Sequence, residues 1–229
     1  MPLQDKSKLQ DEVFGFDPRE QGLPVDGINI LLCGGVGAGK SSIISTIDSM
    51  CQGRISRRAP HGQGTGSLTR KLRKYKFTDP DTRHPLKWKL WDSMGWGVSD
   101  HKGGELGFIL DGNLPDRCKL EGQVSMKTEG FNTHPTLQDA VHCMCLVVPC
   151  DSATNDSYMS RLREMRQFAR DRGKYMYMTL DYTLHYCISC RLLQVYVHDA
   201  GLCLALQHLT SLAPLHTQCT TGFILIWYH

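Results

Sequence analysis

Residues 34–42, GGVGAGKSS, combine small residues, a lysine and two serines in an order that suits the binding of phosphate groups. They match the spacing G-x-x-x-x-G-K-[ST], with Gly34, Gly39, Lys40 and Ser41 at the fixed positions. Glycines let the backbone curl so that successive N–H groups point inward at phosphate oxygens. In this pattern the lysine reaches the terminal phosphates as a positive charge, and the serine hydroxyl is a ligand of Mg²⁺. The spacing predicts a nucleoside phosphate site; a flexible glycine-rich turn is the alternative.

A carboxylate suited to the same metal ion ends the stretch LKWKLWDSMG at 86–95. A mostly apolar strand stops at Asp92, 52 positions after Lys40, and in phosphate-loop proteins such a carboxylate holds Mg²⁺ directly or through water. Gly95 lacks a Cβ, so its backbone N–H can approach a terminal phosphate closely. An aspartate that merely caps a turn is the alternative. The predicted nucleotide-binding residues are Gly34, Gly35, Val36, Gly37, Ala38, Gly39, Lys40, Ser41, Ser42 and Gly95.

A third metal ligand is expected from the segment GTGSLTRK, which lies between these two groups. A hydroxyl there would complete the magnesium shell, in a loop that becomes ordered only when a γ-phosphate is present. Thr69 is favoured, and Thr65 and Ser67 are the alternatives. The predicted metal ligands are therefore Ser41, Thr69 and Asp92. No residue is assigned a catalytic role.

Alternating strands and helices predict an α/β fold that would position these side chains. The fold class is a P-loop NTPase with a doubly wound, mostly parallel sheet, one antiparallel strand pair and an incomplete C-terminal side. The antiparallel pair is expected because turn formers at 78–85 separate its two strands. The predicted strands are 28–33, 69–77, 86–92 and 140–150, and the predicted helices are 41–50, 137–140 and 157–173, the last capped by Asn155 or Asp156 and closed at Gly173.

The composition changes sharply after Gly173. Only four charged residues lie in 174–229, and that segment has no clean helix or strand period. The predicted organisation is a lead-in at 1–25, a nucleotide-binding domain at 26–173 and a poorly defined tail at 174–229. Cys187 and Cys190, with histidines downstream, resemble metal ligands, but their spacing fits no standard zinc module.

The totals describe an ordinary globular chain. It has 229 residues, 41% of them hydrophobic and 21% charged, and a net charge of +3, which is too small to indicate nucleic acid as a partner. The first residues are polar and no apolar run approaches the length of a membrane span. The ten cysteines are therefore expected to be reduced thiols in the cytoplasm.

Five stretches in this order resemble the interferon-induced protein 44-like family, over about residues 20–173: GGVGAGKSSIISTIDSM, GTGSLTRKLRKYKF, LWDSMGWG, ILDGNLPDR and VHCMCLVVPCDSA. The phosphate loop is shared with many NTPases, whereas LPDR and HCMCLVV are more particular to this family. The resemblance implies a GTPase-like domain that binds GTP or GDP with Mg²⁺, in a cytoplasmic, interferon-inducible protein of antiviral defence. It implies self-association or host and viral proteins as partners. Family members often carry an N-terminal TLDc domain, which we expect this chain to lack.

Two departures from the GTPase pattern bear on activity. The base-reading motif [NT]-K-x-D does not occur in 174–229, so guanine specificity is not supported by the residues and an ATP-binding enzyme is an alternative. Trp96 stands where small GTPases place a glutamine that orients the attacking water, so slow or no intrinsic hydrolysis is expected. The alternative from another class is a non-catalytic interaction or scaffold protein with a degenerate nucleotide site.

Overall fold

The apolar runs of the sequence form the strands of one six-stranded sheet in the computed structural model. The structure describes residues 11–56, 71–93, 95, 103–120, 124–149, 152, 154–183 and 221–226. The strands are β1 (Ile28–Cys33), β2 (Arg73–Thr78), β3 (Pro85–Asp92), β4 (Cys143–Pro149), β5 (Tyr175–Thr183) and β6 (Thr221–Ile226). The helices with defined bounds in these residues are α1 (Lys40–Gln52), α2 (Gly103–Asp111) and α3 (Asp156–Arg170).

The strand order is β2-β3-β1-β4-β5-β6, and the four central strands run parallel. β1 is buried along its whole length, as expected for a parallel strand covered on both faces. It pairs with β3 so that Leu32 lies opposite Asp92, and with β4 so that Cys33 lies opposite Leu146. The carboxyl ends of β1 and β3 therefore lie side by side.

Helices cover both faces of this sheet, each over its own core. On one face the isoleucines of α1, among them Ile44, pack against β1 residues such as Ile30. On the other face α2 and α3 contribute Leu110 and Leu162, which pack against Leu31 of β1. Full burial of such a side chain contributes about 1.5–3 kcal/mol. The predicted doubly wound α/β fold is confirmed.

The predicted antiparallel pair is also confirmed, since β2 and β3 pair in that sense, and the structure places them at one edge of the sheet. The structure has a second antiparallel pair, β5 with β6, at the other edge. Both of those strands lie in 174–229, where the sequence pattern predicted no defined element. β5 pairs with β4 at seven register positions, and the paired residues are 32 positions apart. Local sequence periodicity does not indicate a pairing over that distance. The short helix predicted at 137–140 is a turn instead.

Candidate functional site

Close backbone packing fixes the start of the phosphate loop, residues 34–42. A Cβ on Gly34 would lie 2.2 Å from the Val147 carbonyl oxygen of β4, so no side chain fits there. The non-helical part of the loop ends at Gly39, whose φ of 94° is in the left-handed region that glycine adopts without strain. These two of the loop's glycines are thus required by the path of the backbone between β1 and α1.

Helix α1 begins without a capping side chain. Gly39 is its N-cap residue, no side-chain hydrogen bond caps it, and its first turn has no acidic residue. By contrast, α3 is capped by Asn155, whose Oδ1 accepts the Tyr158 N–H at 3.0 Å. The first N–H groups of a helix need partners, and together with the helix dipole they favour an anion. The start of α1 is therefore suited to a phosphate group.

Lys40 is buried against the loop that precedes it. Its side chain is only 6% exposed, and Nζ donates to the carbonyl oxygens of Gly34 at 2.9 Å and Gly35 at 2.8 Å. An ammonium group has three N–H donors, so these two bonds leave one for a phosphate oxygen. Burial lowers the pKa of Lys40, while the nearby Asp92 carboxylate acts in the opposite direction. The two carbonyl groups thus hold the ammonium group at the loop, and the Asp92 carboxylate favours its charged form.

The structure brings the predicted magnesium ligands of β3 and α1 together. Ser41 Oγ donates to Asp92 Oδ2 at 3.0 Å, and the Asp92 side chain is completely buried. Mg²⁺ prefers oxygen ligands such as hydroxyl and carboxylate groups. It usually binds only one or two protein groups besides water and phosphate oxygens. This pair of residues fits a magnesium ion bound with a nucleotide.

The residues after β3 contact both β1 and the phosphate loop. Ser93 Oγ donates to the Leu32 carbonyl at 2.9 Å, which ties the ends of the two strands together. A Cβ on Gly95 would lie 2.8 Å from Val36 Cα, so only glycine allows this approach. Gly95 was predicted to approach a terminal phosphate, and the structure places it directly against the loop. The role of Ser93 was not predicted, because a serine after a strand is usual in turns.

A tyrosine from α3 also reaches the loop, and the sequence analysis missed it. The Gly35 N–H donates to Tyr158 Oη at 3.0 Å. Tyr158 lies 123 residues along the chain from Gly35. Its place in the first turn of an amphipathic helix was the available signal, but that signal does not say which loop the ring faces.

The predicted site residues at 34–42, Asp92 and Gly95 lie together at the carboxyl ends of β1 and β3. Thr69 and its alternatives Thr65 and Ser67 lie outside the described residues, as does Trp96. The cysteines and histidines considered as zinc ligands in 187–208 also lie outside them. Within the described parts of the chain no helix has the length and apolar character needed to cross a membrane.

Relatives with curated descriptions are found for this chain, although no family model matches it. It is 34% identical to interferon-induced protein 44 of Homo sapiens over 134 residues, 56% of this chain and 30% of that protein. It is 31% identical to interferon-induced protein 44-like of Homo sapiens over 152 residues, 64% of this chain and 33% of that protein. The Mus musculus protein 44 is 31% identical over 140 residues. The chain thus spans about a third of the length of these relatives.

Among solved structures, one that aligns is the signal recognition particle receptor SRb-GTP/SRX complex from Chaetomium thermophilum. The alignment covers 63% of this chain and 61% of that chain, with 15% identity and a TM-score of 0.35.

Proposed function

We propose that this chain is a member of the interferon-induced protein 44 family over the matched region, and that it binds GTP or GDP with Mg²⁺. The nucleotide's phosphates would lie in the loop at 34–42, at the start of α1. Guanine is supported by the family relationship and not by a base-reading motif, because [NT]-K-x-D does not occur in 174–229. The named relatives are interferon-induced proteins, which supports a role in the innate immune, antiviral response; we propose the cytoplasm as its location. We propose that this chain acts there as a nucleotide-dependent switch or assembly module, through self-association or contact with host or viral proteins.

One observation carries the proposal: a lysine and a serine at the start of α1, which has no capping side chain, lie beside an aspartate at the end of β3. Lys40 and Ser41 are the first residues of α1, and Asp92 ends β3. In a parallel α/β sheet, ligands bind at the carboxyl ends of the strands where the strand order reverses. β1 lies at that position, between β3 and β4. Burying a cation and a carboxylate costs free energy, and a turn with only a structural role would not require either.

Ser41 and Asp92 would hold the magnesium ion, and Thr69 is proposed as a third ligand. When bound, the ion supplies positive charge that neutralises the phosphate oxygens. The protein residues would fix the position of the ion. Ser41 is held by its hydrogen bond to Asp92, and Asp92 lies at the buried end of β3. The Lys40 ammonium group adds a second positive charge on the same side of the loop.

Hydrolysis is expected to be slow or absent. Trp96 follows Gly95 in the sequence, at the position from which small GTPases orient the attacking water. An indole has one N–H donor and no acceptor, so it cannot accept a hydrogen bond from the attacking water as a glutamine amide oxygen can. A partner or a second copy of the chain would have to supply the missing group.

Fluorescent GTP-γ-S and ATP-γ-S, each with Mg²⁺, test this proposal on wild type and on Lys40→Ala. Loss of a hydrogen-bonded positive charge should weaken binding about 10- to 100-fold. Lys127→Ala is the matched control, because Lys127 lies on an exposed turn and should bind as wild type does. Thermal unfolding of each variant shows that it is folded.

The outcomes separate the candidate functions. Tight GTP-γ-S binding that is lost only in Lys40→Ala supports the proposed site. Equal binding of ATP-γ-S would indicate the alternative, an adenine nucleotide enzyme. A folded wild type that binds neither nucleotide would contradict the proposal and favour a scaffold protein with a degenerate site.

A further inference from the structure

We propose that Tyr158 is a positioning residue of the phosphate loop: its hydroxyl holds Gly35 and links α3 to nucleotide binding. This inference rests on the proposed function, because it assigns a further residue to the same site. Tyr158 would act through the loop and would not itself touch the nucleotide.

The contact between Tyr158 and the loop is both polar and steric. The Gly35 N–H donates to Tyr158 Oη at 3.0 Å. A Cβ on Gly35 would lie 3.1 Å from that oxygen and 3.2 Å from Cε2 of the ring. Such distances are tighter than ordinary van der Waals contacts, so a side chain at this position would push the ring away. The hydrogen bond therefore requires both the Tyr158 hydroxyl and the absence of a side chain at position 35.

Tyr158 is held in place independently of the loop. Its backbone N–H donates to the cap residue Asn155, so the first turn of α3 is fixed. One and two turns further along the same face, Leu162 and Met165 are buried in the core beneath the helix. The ring is packed against that core as well. The tyrosine thus presents its hydroxyl from a rigid support.

Consecutive elements of the chain touch consecutive residues of the loop. The end of β4 approaches Gly34 through the Val147 carbonyl, and α3 approaches Gly35 through Tyr158. The path of the loop is therefore set by the β4–α3 unit as well as by β1 and α1. A preorganised loop binds its ligand more tightly, because less ordering is needed on binding.

This arrangement predicts which nucleotides are affected. The Gly35 N–H points at the tyrosine, so it is not one of the donors to a phosphate. Loss of the hydroxyl should therefore weaken GDP and GTP-γ-S by the same factor, because it loosens the loop and removes no contact with either nucleotide. A residue that contacts the γ-phosphate would affect GTP-γ-S alone.

The test is Tyr158→Phe, which removes the hydroxyl and keeps the ring. One hydrogen bond corresponds to a roughly two- to tenfold weaker binding of both nucleotides. Tyr75→Phe is the matched control: it makes the same chemical change on the buried Tyr75 of edge strand β2 and should leave both affinities unchanged. Without nucleotide, hydrogen exchange at the Gly35 amide should be faster in Tyr158→Phe than in wild type.

A double-mutant cycle with Gly35→Ala adds a readout that a purely structural role would not give. The added methyl group should itself displace the hydroxyl and weaken binding. Tyr158→Phe should then weaken binding much less in the Gly35→Ala background than it does in wild type, because the hydrogen bond is already lost there. Additive effects would mean that the two residues act separately.

Several results would overturn the inference. Wild-type affinity in Tyr158→Phe would remove the tyrosine from the site, and loss of GTP-γ-S binding alone would mean that it contacts the γ-phosphate and does not act through the loop. Either result would leave the proposed function intact. Unchanged exchange at the Gly35 amide would show that the hydroxyl does not hold the loop. A folded wild type that binds no nucleotide would refute the proposed function and this inference together.

Discussion

Ser41 and Asp92 are 51 positions apart in the sequence, and in the fold their oxygens are 3.0 Å apart. The two residues come from the first turn of α1 and the last position of β3. Asp92 also faces Lys40, whose pKa it raises against the effect of burial. Burying a carboxylate is costly unless it is hydrogen-bonded and paired with positive charge, so its presence here favours a role in binding a cation.

At this scale we predict that Asp92→Asn weakens the dependence of nucleotide binding on magnesium. An amide oxygen is a poorer ligand for Mg²⁺ than a carboxylate, so the magnesium concentration at half-saturation should rise about tenfold, equivalent to about 1.4 kcal/mol. The measurement is a magnesium titration of GTP-γ-S binding.

Asp48→Asn is the matched control for that titration. Asp48 is a second buried aspartate, 2% exposed, on the same helix as Ser41. Its carboxylate accepts hydrogen bonds from Gln52 and Ser56, away from the phosphate loop. If both variants shift the titration equally, or neither does, Asp92 is not a magnesium ligand.

Among the elements, the alignment of β1 with its neighbours depends on one buried amide. Asn29 is 1% exposed, and its Nδ2 donates to the carbonyl oxygens of Gln138 and Ala140, both at 2.9 Å. Its Oδ1 accepts the Trp91 indole N–H at 3.2 Å. The side chain thus joins β1, β3 and the turn that leads into β4. The phosphate loop follows β1, and Asp92 is the last residue of β3.

We predict that Asn29→Ala lowers the free energy of unfolding by about 2–4 kcal/mol. The substitution leaves two carbonyl groups and an indole N–H without their buried partner. Urea unfolding measures the change. For comparison, Asn155→Ala removes the exposed cap of α3 and should cost only about 1 kcal/mol. Equal losses in the two variants would show that the buried amide does not hold the strands together.

For the molecule as a whole, acid is expected to reduce stability through carboxylates that are hydrogen-bonded in the fold. Three aspartates have a pKa below the usual value because they accept hydrogen bonds: Asp17 from Lys87, Asp79 from Thr82 and Asp139 from Thr136. Their pKa is lower in the folded than in the unfolded chain, so the unfolded chain binds more protons in acid. Their stabilising effect is complete above the unfolded-state pKa and is lost as the pH falls through the folded-state values.

The expected result is a fall in the urea midpoint below about pH 4. A triple variant with asparagine at 17, 79 and 139 should show a shallower fall, because it has no such carboxylates to protonate. Glu105 acts in the opposite direction, since burial raises its pKa and its protonation in acid removes the cost of a buried charge. Parallel pH profiles for wild type and the triple variant would contradict this explanation.

The sequence by itself determined the chemistry of the loop and most of the elements around it. Glycine spacing, Lys40 and Ser41 are properties of a short segment, and the capped helix α3 and the buried strand β1 follow from local periodicity. Asp92 was found as well, because a strand ending in a carboxylate is a local pattern. These features depend on backbone conformation and on neighbours within a few positions, so a short stretch of sequence is enough to predict them.

Only the tertiary structure decided which distant groups meet. Tyr158 contacts Gly35 across 123 positions, and Asn29 is bound to a turn more than 100 residues away. β5 and β6 form by pairing within the sheet, in a region whose own pattern indicates neither. Such contacts depend on the register of parallel strands and on the packing of helices over them. They arise when the chain folds, and no short stretch of sequence encodes them alone.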